Sequence, residues 1–137
     1  MPLVAQFHDF EGINLSAGVR EKVVSRLLCE AELGEIWLSY RARQLIGYVA
    51  VCYGYSIELA GRDAFIDELY LVPAARGEGI GRKILEHVKT RMAACGVVAL
   101  HLEVARTNSR AKKLYSNCGF ASRDGYHLMT WVSDFRS

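Results

Sequence analysis

The feature that most constrains the fold is the segment YLVPAARGEGIGRKILEHV, residues 70–88, in which an apolar run passes through a glycine-rich turn into a helical pattern. The run AFIDELYLV, residues 64–72, has the composition of a strand, and Pro73 closes it. After the turn, apolar residues recur at helical spacing, at Ile80, Ile84, Leu85, Val88 and Met92. A strand that leads through glycines into an amphipathic helix predicts an α/β domain with the glycines at the helix N-terminus.

The flanking patterns predict further helices and strands around this unit. They are helices at 3–13, from Ser16 to Gly34 and from Asn108 to Gly119, a hairpin of strands Glu35–Tyr40 and Leu45–Tyr55, and later strands at 98–105 and Tyr126–Val132. The 137 residues contain no repeat or linker, so we expect a single domain over residues 1–137. The predicted fold class is α/β, with a mixed sheet flanked by helices.

Composition excludes several classes of function. Seventeen basic and fifteen acidic residues leave a net charge of +2, which disfavours nucleic acid as a partner. The four cysteines are spread singly, and the histidines are scattered, so we expect no metal site. The N-terminus has no leader pattern, and no apolar run approaches the ~20 residues that span a bilayer. We therefore expect a cytoplasmic protein that has no membrane partner.

The glycine turn has the properties of an anion site. Backbone N–H groups at a helix N-terminus point outward, and glycines let a phosphate approach them closely. Gly77, Gly79 and Gly81 supply the glycines, while Arg76 and Arg82 add positive charge. The segment lacks the Lys-Ser/Thr pair of a P-loop and the last glycine of the dinucleotide fingerprint. The alternative is that the glycines only tighten a strand-to-helix turn.

The wider context resembles the Gcn5-related N-acetyltransferase (GNAT) superfamily. In that family an Arg/Gln-x-x-Gly-x-Gly/Ala turn binds the pyrophosphate of acetyl-CoA, and an Asn-x-x-Ala-x-x-Leu-Tyr segment lies on the next helix. Residues 76–81 match the first pattern, and Asn108, Ala111, Leu114 and Tyr115 match the second, with Gly119-Phe120 following as in the family. The resemblance covers residues 45–132. It implies a mostly antiparallel GNAT sheet and acetyl-CoA as co-substrate, with transfer to a primary amine whose identity stays open.

The resemblance also implies where acetyl-CoA would bind. In the family, adjacent central strands splay apart, and free backbone groups there pair with the pantetheine chain. The implied residues are Leu71 and Val72 at the splay, Arg76, Gly77, Glu78, Gly79, Ile80, Gly81 and Arg82 at the turn, and Asn108, Lys112 and Tyr115 on the last helix.

Acetylation of an amine requires that a proton leave the ammonium, and a nearby carboxylate is the natural acceptor. Asp67 and Glu68 are adjacent on a strand, so their side chains are predicted to leave opposite faces; the resemblance favours Asp67. It also implies that the Leu71 N–H stabilises the oxyanion and that Tyr115 protonates the departing thiolate. The alternatives are a solvent-facing Glu68 and a Tyr115 that only packs. The connection after the hairpin suggests Tyr53, Tyr55 and Glu58 as acceptor-binding residues.

One departure from the family concerns the N-terminus. Family members usually begin with a short strand, whereas Met1 falls almost on the first predicted helix, so that strand is absent or lies upstream. Without it the strand EIWLSY, residues 35–40, becomes a sheet edge that another chain could cover, and we expect a homodimer formed through this edge or through the predicted C-terminal strand at 129–132. The competing interpretation of the whole chain is a catalytically inactive CoA-binding sensor or interaction module.

Overall fold

A computed structural model of the chain describes residues 2–134. In chain order the elements are α1 (Pro2–Glu11), α2 (Ala17–Cys29), β1 (Gly34–Arg41), β2 (Gln44–Ser56), β3 (Gly61–Leu71), α3 (Ile80–Ala94), β4 (Ala99–His101) and α4 (Ser109–Asn117), with a short 3-10 turn at Pro73–Ala75. The predicted α/β fold class is confirmed. No helix among the described residues is both long and apolar enough to cross a membrane.

The helix boundaries follow from local chemistry. The Ser16 hydroxyl accepts a hydrogen bond from the Val19 N–H at 3.2 Å and so caps α2. Asn108 caps α4 in the same way, since its Oδ1 accepts from the Ala111 N–H at 3.1 Å. The Asn of the Asn-x-x-Ala pattern therefore has a structural role in starting the helix.

The sheet has the order β1-β2-β3-β4. Strands β1, β2 and β3 pair antiparallel, and β3 pairs with β4 in parallel. The predicted hairpin is confirmed, and β1 lies at an edge of this sheet. Because β4 pairs only with residues 63–65 of β3, the rest of that edge of β3 is left without a strand partner among residues 2–134.

The sheet has a buried cluster on each face. One face, called here the α3 face, packs against α3 and α4 and buries Val49, Val51, Ala64, Ile66, Leu85, Val88, Met92 and Cys118. The other, the α1 face, packs against α1 and buries Leu3, Val4, Tyr48 and Tyr70, with Val24 of α2 alongside. Burial of these apolar side chains on both faces is the main force that holds the sheet between its helices.

Two predicted strands differ from the structure. The strand predicted at 98–105 is regular only over Ala99–His101, because β3 and the chain after β4 diverge and pairing ends. The strand predicted at Tyr126–Val132 is wrong: these residues form no regular strand and are exposed, Met129 by 89% and Trp131 by 87%. An alternating apolar segment becomes a strand only where a neighbour supplies hydrogen bonds, and a three-residue β4 offers little edge to pair with.

Candidate functional site

The candidate site is the gap that opens where β3 and β4 separate. The two strands pair at Asp63–Ala99, Ala64–Leu100 and Phe65–His101 and then part. At the far end of the gap, β3, α3 and α4 converge. A Cβ placed on Gly81 would come 3.3 Å from the Leu114 side chain and 4.0 Å from that of Leu71. A glycine at residue 81 thus lets these three elements meet at the gap.

The backbone of Leu71 faces this gap, whereas that of Val72 does not. The Val72 N–H donates to the Ile46 carbonyl at 2.8 Å, and its carbonyl accepts from the Ala75 N–H at 2.9 Å. Backbone groups alternate sides along an antiparallel pair, so the N–H of Leu71 points away from β2. The prediction that Val72 offers free backbone groups to pantetheine is therefore wrong. For Leu71 the geometry agrees with an exposed donor.

The glycine turn has the backbone geometry of a close-approach loop. Gly77 and Gly79 have φ of 81° and 78°, a left-handed conformation that glycine adopts without steric cost. Gly79 is also the N-cap of α3, and no atom lies within 4 Å of the position a Cβ would take there. Open space in front of a helix N-terminus is where an anion can contact the free N–H groups of the first turn, from Ile80 onward. The residues present therefore fit a pyrophosphate.

Two charged residues of the glycine turn make contacts within the protein, and a third basic residue reaches the turn from α4. Arg76 folds back, because its Nε donates to the Leu71 carbonyl at 2.9 Å and its guanidinium lies 5.5 Å from the Tyr70 ring. Glu78 is paired with Arg41 of β1. Arg110 of α4 lies beside the turn, with Nη2 3.4 Å from where a Cβ on Gly77 would stand.

The other basic residues predicted to contact acetyl-CoA lie at the surface. Arg82 is exposed in the first turn of α3, and Lys112 is exposed on α4. Arg110 is thus the basic residue of α4 for which the structure shows proximity to the glycine turn.

A β-bulge at Asp67 corrects the expectation that Asp67 and Glu68 leave opposite faces. Ala50 of β2 pairs with Glu68 and Val51 pairs with Ile66, so Asp67 is an extra residue without a partner on β2. The bulge breaks the two-residue alternation. Ile66 lies in the cluster of the α3 face, and Glu68 contacts residues of the α1 face. Both carboxylates therefore stand at the place where the gap begins.

The electrostatic environment of Asp67 suits a proton acceptor. Partial burial raises the pKa of Asp67, and the negative charge of Glu68 raises it further. His8 acts in the opposite direction and lowers the pKa, and Glu103, in the chain just after β4, adds a smaller effect that raises it. The carboxylates of Asp67, Glu68 and Glu103 thus influence one another, and a cation among them would be attracted to each.

Glu68 is held by two hydrogen bonds to its two oxygens. Nε2 of His8 in α1 lies 2.6 Å from Oε2, and the Tyr48 hydroxyl donates to Oε1 at 2.6 Å. Arg20 of α2 donates from Nε to Nδ1 of His8 at 3.2 Å. His8 and Tyr48 are each only 3% exposed. Burial and then the hydrogen bond to Glu68 raise the pKa of the Tyr48 phenol, which keeps it a donor.

Tyr115 follows Leu114 on α4 and is half-buried against the cluster of the α3 face. Its ring lies 6.2 Å from that of Phe120. Burial raises the pKa of the phenol, and the charge of Glu11 at the end of α1 raises it further. The hydroxyl has no hydrogen-bond partner within the described part of the chain. A protonated phenol without a protein partner is able to donate to a ligand.

The residues predicted to bind the acceptor lie elsewhere. Tyr53 packs on the α3 face with the Arg62 guanidinium 4.1 Å over its ring. Tyr55 is 79% exposed and pairs with Arg62, five residues and about 16 Å along β3 from Asp67. Glu58 lies in the turn after β2. The structure does not bring these three residues together with the carboxylates.

Three residues of the candidate site were missed by the sequence interpretation, namely His8, Tyr48 and Glu103, and among the basic residues of α4 it favoured Lys112 over Arg110. His8 follows Val4 by four residues, so helical spacing alone places it on the buried side of α1. Nothing in the sequence pairs it with Glu68, 60 positions away. Such contacts depend on how α1 crosses the sheet, which local patterns do not specify.

Comparison with known proteins agrees with this geometry. Residues 7–120 match the model of the acetyltransferase (GNAT) family. A thialysine N-ε-acetyltransferase from Bos taurus is 33% identical over 93 residues, which are 66% of this chain and 54% of that protein. An IAA acetyltransferase from Azospirillum brasilense is 34% identical over 77 residues, 56% of this chain and 50% of that protein. The chain thus spans about half the length of the curated relatives it matches.

Solved structures share the fold over nearly the whole chain. An integron cassette protein from the mobile metagenome of Cole Harbour salt marsh superposes with a TM-score of 0.84 at 30% identity, covering 96% of this chain and 80% of that one. An aminoglycoside 6′-N-acetyltransferase from Acinetobacter haemolyticus shares the fold at 15% identity, with a TM-score of 0.69 and coverage of 88% and 83%. Since the family match extends over most of the chain, from α1 to Phe120, this protein belongs to the GNAT acetyltransferase family.

Proposed function

We propose that this protein transfers an acetyl group from acetyl-CoA to a primary amine by direct attack within a ternary complex. The observation that carries the proposal is the gap between β3 and β4. The glycine turn of α3 and Tyr115 lie on its α3 side, and Asp67 and Glu68 stand where it opens. A thioester lying in the gap would be accessible to an amine held by the carboxylates.

The first chemical requirement is a neutral amine. An alkylammonium has a pKa of about 10, so at neutral pH a proton must leave before the nitrogen lone pair can attack. Asp67 is suited to accept it, because burial and the charge of Glu68 raise its pKa toward the working range of a base. The proton passes to the Asp67 carboxylate, and the electron pair of the broken N–H bond stays on nitrogen.

The second requirement is stabilisation of charge on the thioester. As nitrogen attacks the carbonyl carbon, negative charge develops on oxygen, and the outward N–H of Leu71 is placed to donate to it. One such donor contributes about 3 kcal/mol to transition-state stabilisation. When the C–S bond breaks, Tyr115 is a protonated phenol that can donate to the departing thiolate.

The acceptor is proposed to be a small cationic amine. The neighbouring negative charges of Asp67, Glu68 and Glu103 favour a positively charged substrate. The Bos taurus relative is named for thialysine, whose side chain ends in a primary amine. We therefore propose thialysine and amines of similar shape as the first acceptors to test.

The test measures release of free CoA thiol from acetyl-CoA. The acceptors are thialysine, lysine, spermidine, an aminoglycoside and a peptide with an N-terminal alanine, each at neutral pH. Thiol release that depends on one amine, with the acetylated amine found by mass spectrometry, would support the proposal. Binding of CoA without turnover of any amine would contradict it and would favour a CoA-binding module.

We also propose that the protein forms a homodimer through β1. This strand is an edge of the sheet, and Leu38 and Tyr40 on it are 54% and 60% exposed. Helix α1 packs on the sheet face, against Tyr48 and Tyr70, and therefore does not cover that edge. Unpaired backbone groups beside exposed apolar side chains favour pairing with a second copy.

A further inference from the structure

His8, Arg20, Tyr48 and Glu68 form a part-buried polar network at the gap, of which the acetyl transfer described above uses only the charge of Glu68. The four residues come from α1, α2, β2 and β3, so the network joins four elements. Burying polar side chains costs free energy unless each one is hydrogen-bonded. A network assembled from four elements and placed next to the candidate base therefore requires an explanation.

The donor and acceptor atoms fix the protonation of His8. The Nε of Arg20 is always a donor, so Nδ1 of His8, 3.2 Å away, must be the acceptor. The proton of the neutral ring is then on Nε2 and points at Oε2 of Glu68, 2.6 Å away. Arg20 also donates to the Leu15 carbonyl at 3.0 Å, which fixes its guanidinium in place. The tautomer of His8 is thus set by an arginine that is itself anchored.

The same reasoning fixes Glu68 as an anion. One oxygen accepts from His8 Nε2 and the other from the Tyr48 hydroxyl, both at 2.6 Å. Hydrogen bonds from neutral donors to a carboxylate are short and strong, and two of them hold it in one rotamer. The Glu68 side chain is 16% exposed and that of His8 is 4% exposed, so water competes weakly for these bonds.

We infer that His8 and Tyr48 are positioning residues that hold Glu68 as a fixed anion, which draws a cationic acceptor to the gap while Asp67 removes its proton. This inference rests on the proposed function. It separates the roles of two adjacent carboxylates. Glu68 has both oxygens occupied and attracts charge, whereas Asp67 on the bulge makes no side-chain hydrogen bond within residues 2–134 and can take the proton.

The test compares variants of the full-length protein that differ in one donor. His8→Leu removes the donor to Oε2, and His8→Gln keeps an N–H that can reach it. Tyr48→Phe removes only the donor to Oε1. With the best amine from the panel above, we expect His8→Leu and Tyr48→Phe to raise the KM for the amine about tenfold or more, the factor for one hydrogen bond to a charged group. The KM for acetyl-CoA should stay within about twofold, and His8→Gln should restore most of the amine KM.

A merely structural role would give a different pattern, namely a lower melting temperature with both KM values unchanged or changed together. That result in Tyr48→Phe, which alters one oxygen atom, would overturn the inference even if His8→Leu does not fold. A His8→Gln variant as defective as His8→Leu would also overturn it.

A second measurement does not depend on turnover, and so separates this inference from the proposed function. Two-dimensional ¹⁵N–¹H spectra of the imidazole rings report which nitrogen carries the proton, and His8→Gln identifies the His8 signals by their loss. We expect a neutral ring protonated on Nε2 at pH 7. A proton on Nδ1, or a charged ring, would contradict the fixed anion whether or not any amine is acetylated.

Discussion

The Tyr115 ring is held against the cluster of the α3 face, and its hydroxyl is the proposed general acid. Tyr115→Phe removes only the hydroxyl, so packing against Phe120 and Leu114 should persist. We expect the rate of acetyl transfer to fall by ~10²–10⁴, the usual contribution of a general acid, with little change in the KM for acetyl-CoA. Steady-state kinetics would check this. A near-normal kcat in a folded variant would leave Tyr115 a packing residue only.

The raised pKa of the Asp67 carboxyl is expected to affect both the activity and the stability of the protein. Since its pKa is raised in the folded protein, by burial and by Glu68, the folded state binds a proton more tightly than the unfolded state. Stability therefore falls as the pH rises from the ordinary pKa of aspartate to the raised one, and the cost persists above it. Asp67→Asn removes this cost. We expect the variant to melt at a higher temperature than the wild type at pH 7, and the difference to shrink toward about pH 3, while activity is lost.

Thermal denaturation at the two pH values provides the measurement. Glu68→Gln is the matched control, because it removes the neighbouring charge that raises the pKa of Asp67 but leaves Asp67 in place. In that variant the pKa of Asp67 should be lower, so the fall of kcat/KM on the acidic side of its pH profile should occur at a lower pH. An Asp67→Asn variant that is less stable at pH 7 than the wild type would contradict the assignment.

At the scale of the elements, the turn before α3 allows two variants to be compared that differ in charge but not in side-chain size. Gly79 has φ of 78°, where a branched residue such as valine would be strained, but asparagine and aspartate are tolerated. A side chain there would project into open space. We expect both Gly79→Asn and Gly79→Asp to fold, and Gly79→Asp to bind acetyl-CoA at least about tenfold more weakly than Gly79→Asn, because its charge would oppose a pyrophosphate.

Calorimetric titration with CoA would measure the difference between these two variants. Equal affinities would mean that the phosphates do not lie at this turn. The comparison needs no correction for strain, since both side chains have the same size and the same backbone requirement.

The elements themselves were predicted from the sequence with fair accuracy, because each depends on local signals. Ser16 and Asn108 cap helices where the sequence places them, and α3 begins at Ile80 after the last left-handed glycine. What the sequence could not give was set by pairing between distant segments. The strand expected at 126–132 has the right alternation but lacks a partner, and the bulge at Asp67 exists only in the register between β2 and β3.

The candidate site also contains residues that local patterns identify and residues whose positions depend on contacts between distant segments. The glycine turn, Leu71, Asp67 and Tyr115 were identified from a contiguous motif and a family resemblance. The Val72 backbone was misassigned because its use depends on a hydrogen bond to Ile46, and His8 was overlooked because its partner is 60 positions away. Local patterns therefore predicted the glycine turn, whereas contacts between distant segments could not be predicted from them.

For the whole molecule, the exposed edge at β1 makes the assembly state testable. We expect a homodimer at micromolar concentration, because within residues 2–134 no strand pairs with the outer side of Gly34–Arg41 and apolar side chains stand beside it. Light scattering across a dilution series would measure the mass. Leu38→Lys should shift the equilibrium toward monomer, since charge on an edge strand opposes pairing. A monomer mass at all concentrations would refute the dimer.

The bulge at Asp67 also suggests how the proposed activity could be gained or lost in evolution. Because Asp67 is one residue added to a ladder that is in phase on both sides, deleting its codon would leave Ile66 and Glu68 as neighbours on opposite faces, each still opposite its present partner. We expect the deletion variant to fold, with a melting temperature close to that of the wild type, and to acetylate nothing. The insertion of one codon would then be enough to add the proposed base to a protein that already folds but does not acetylate amines.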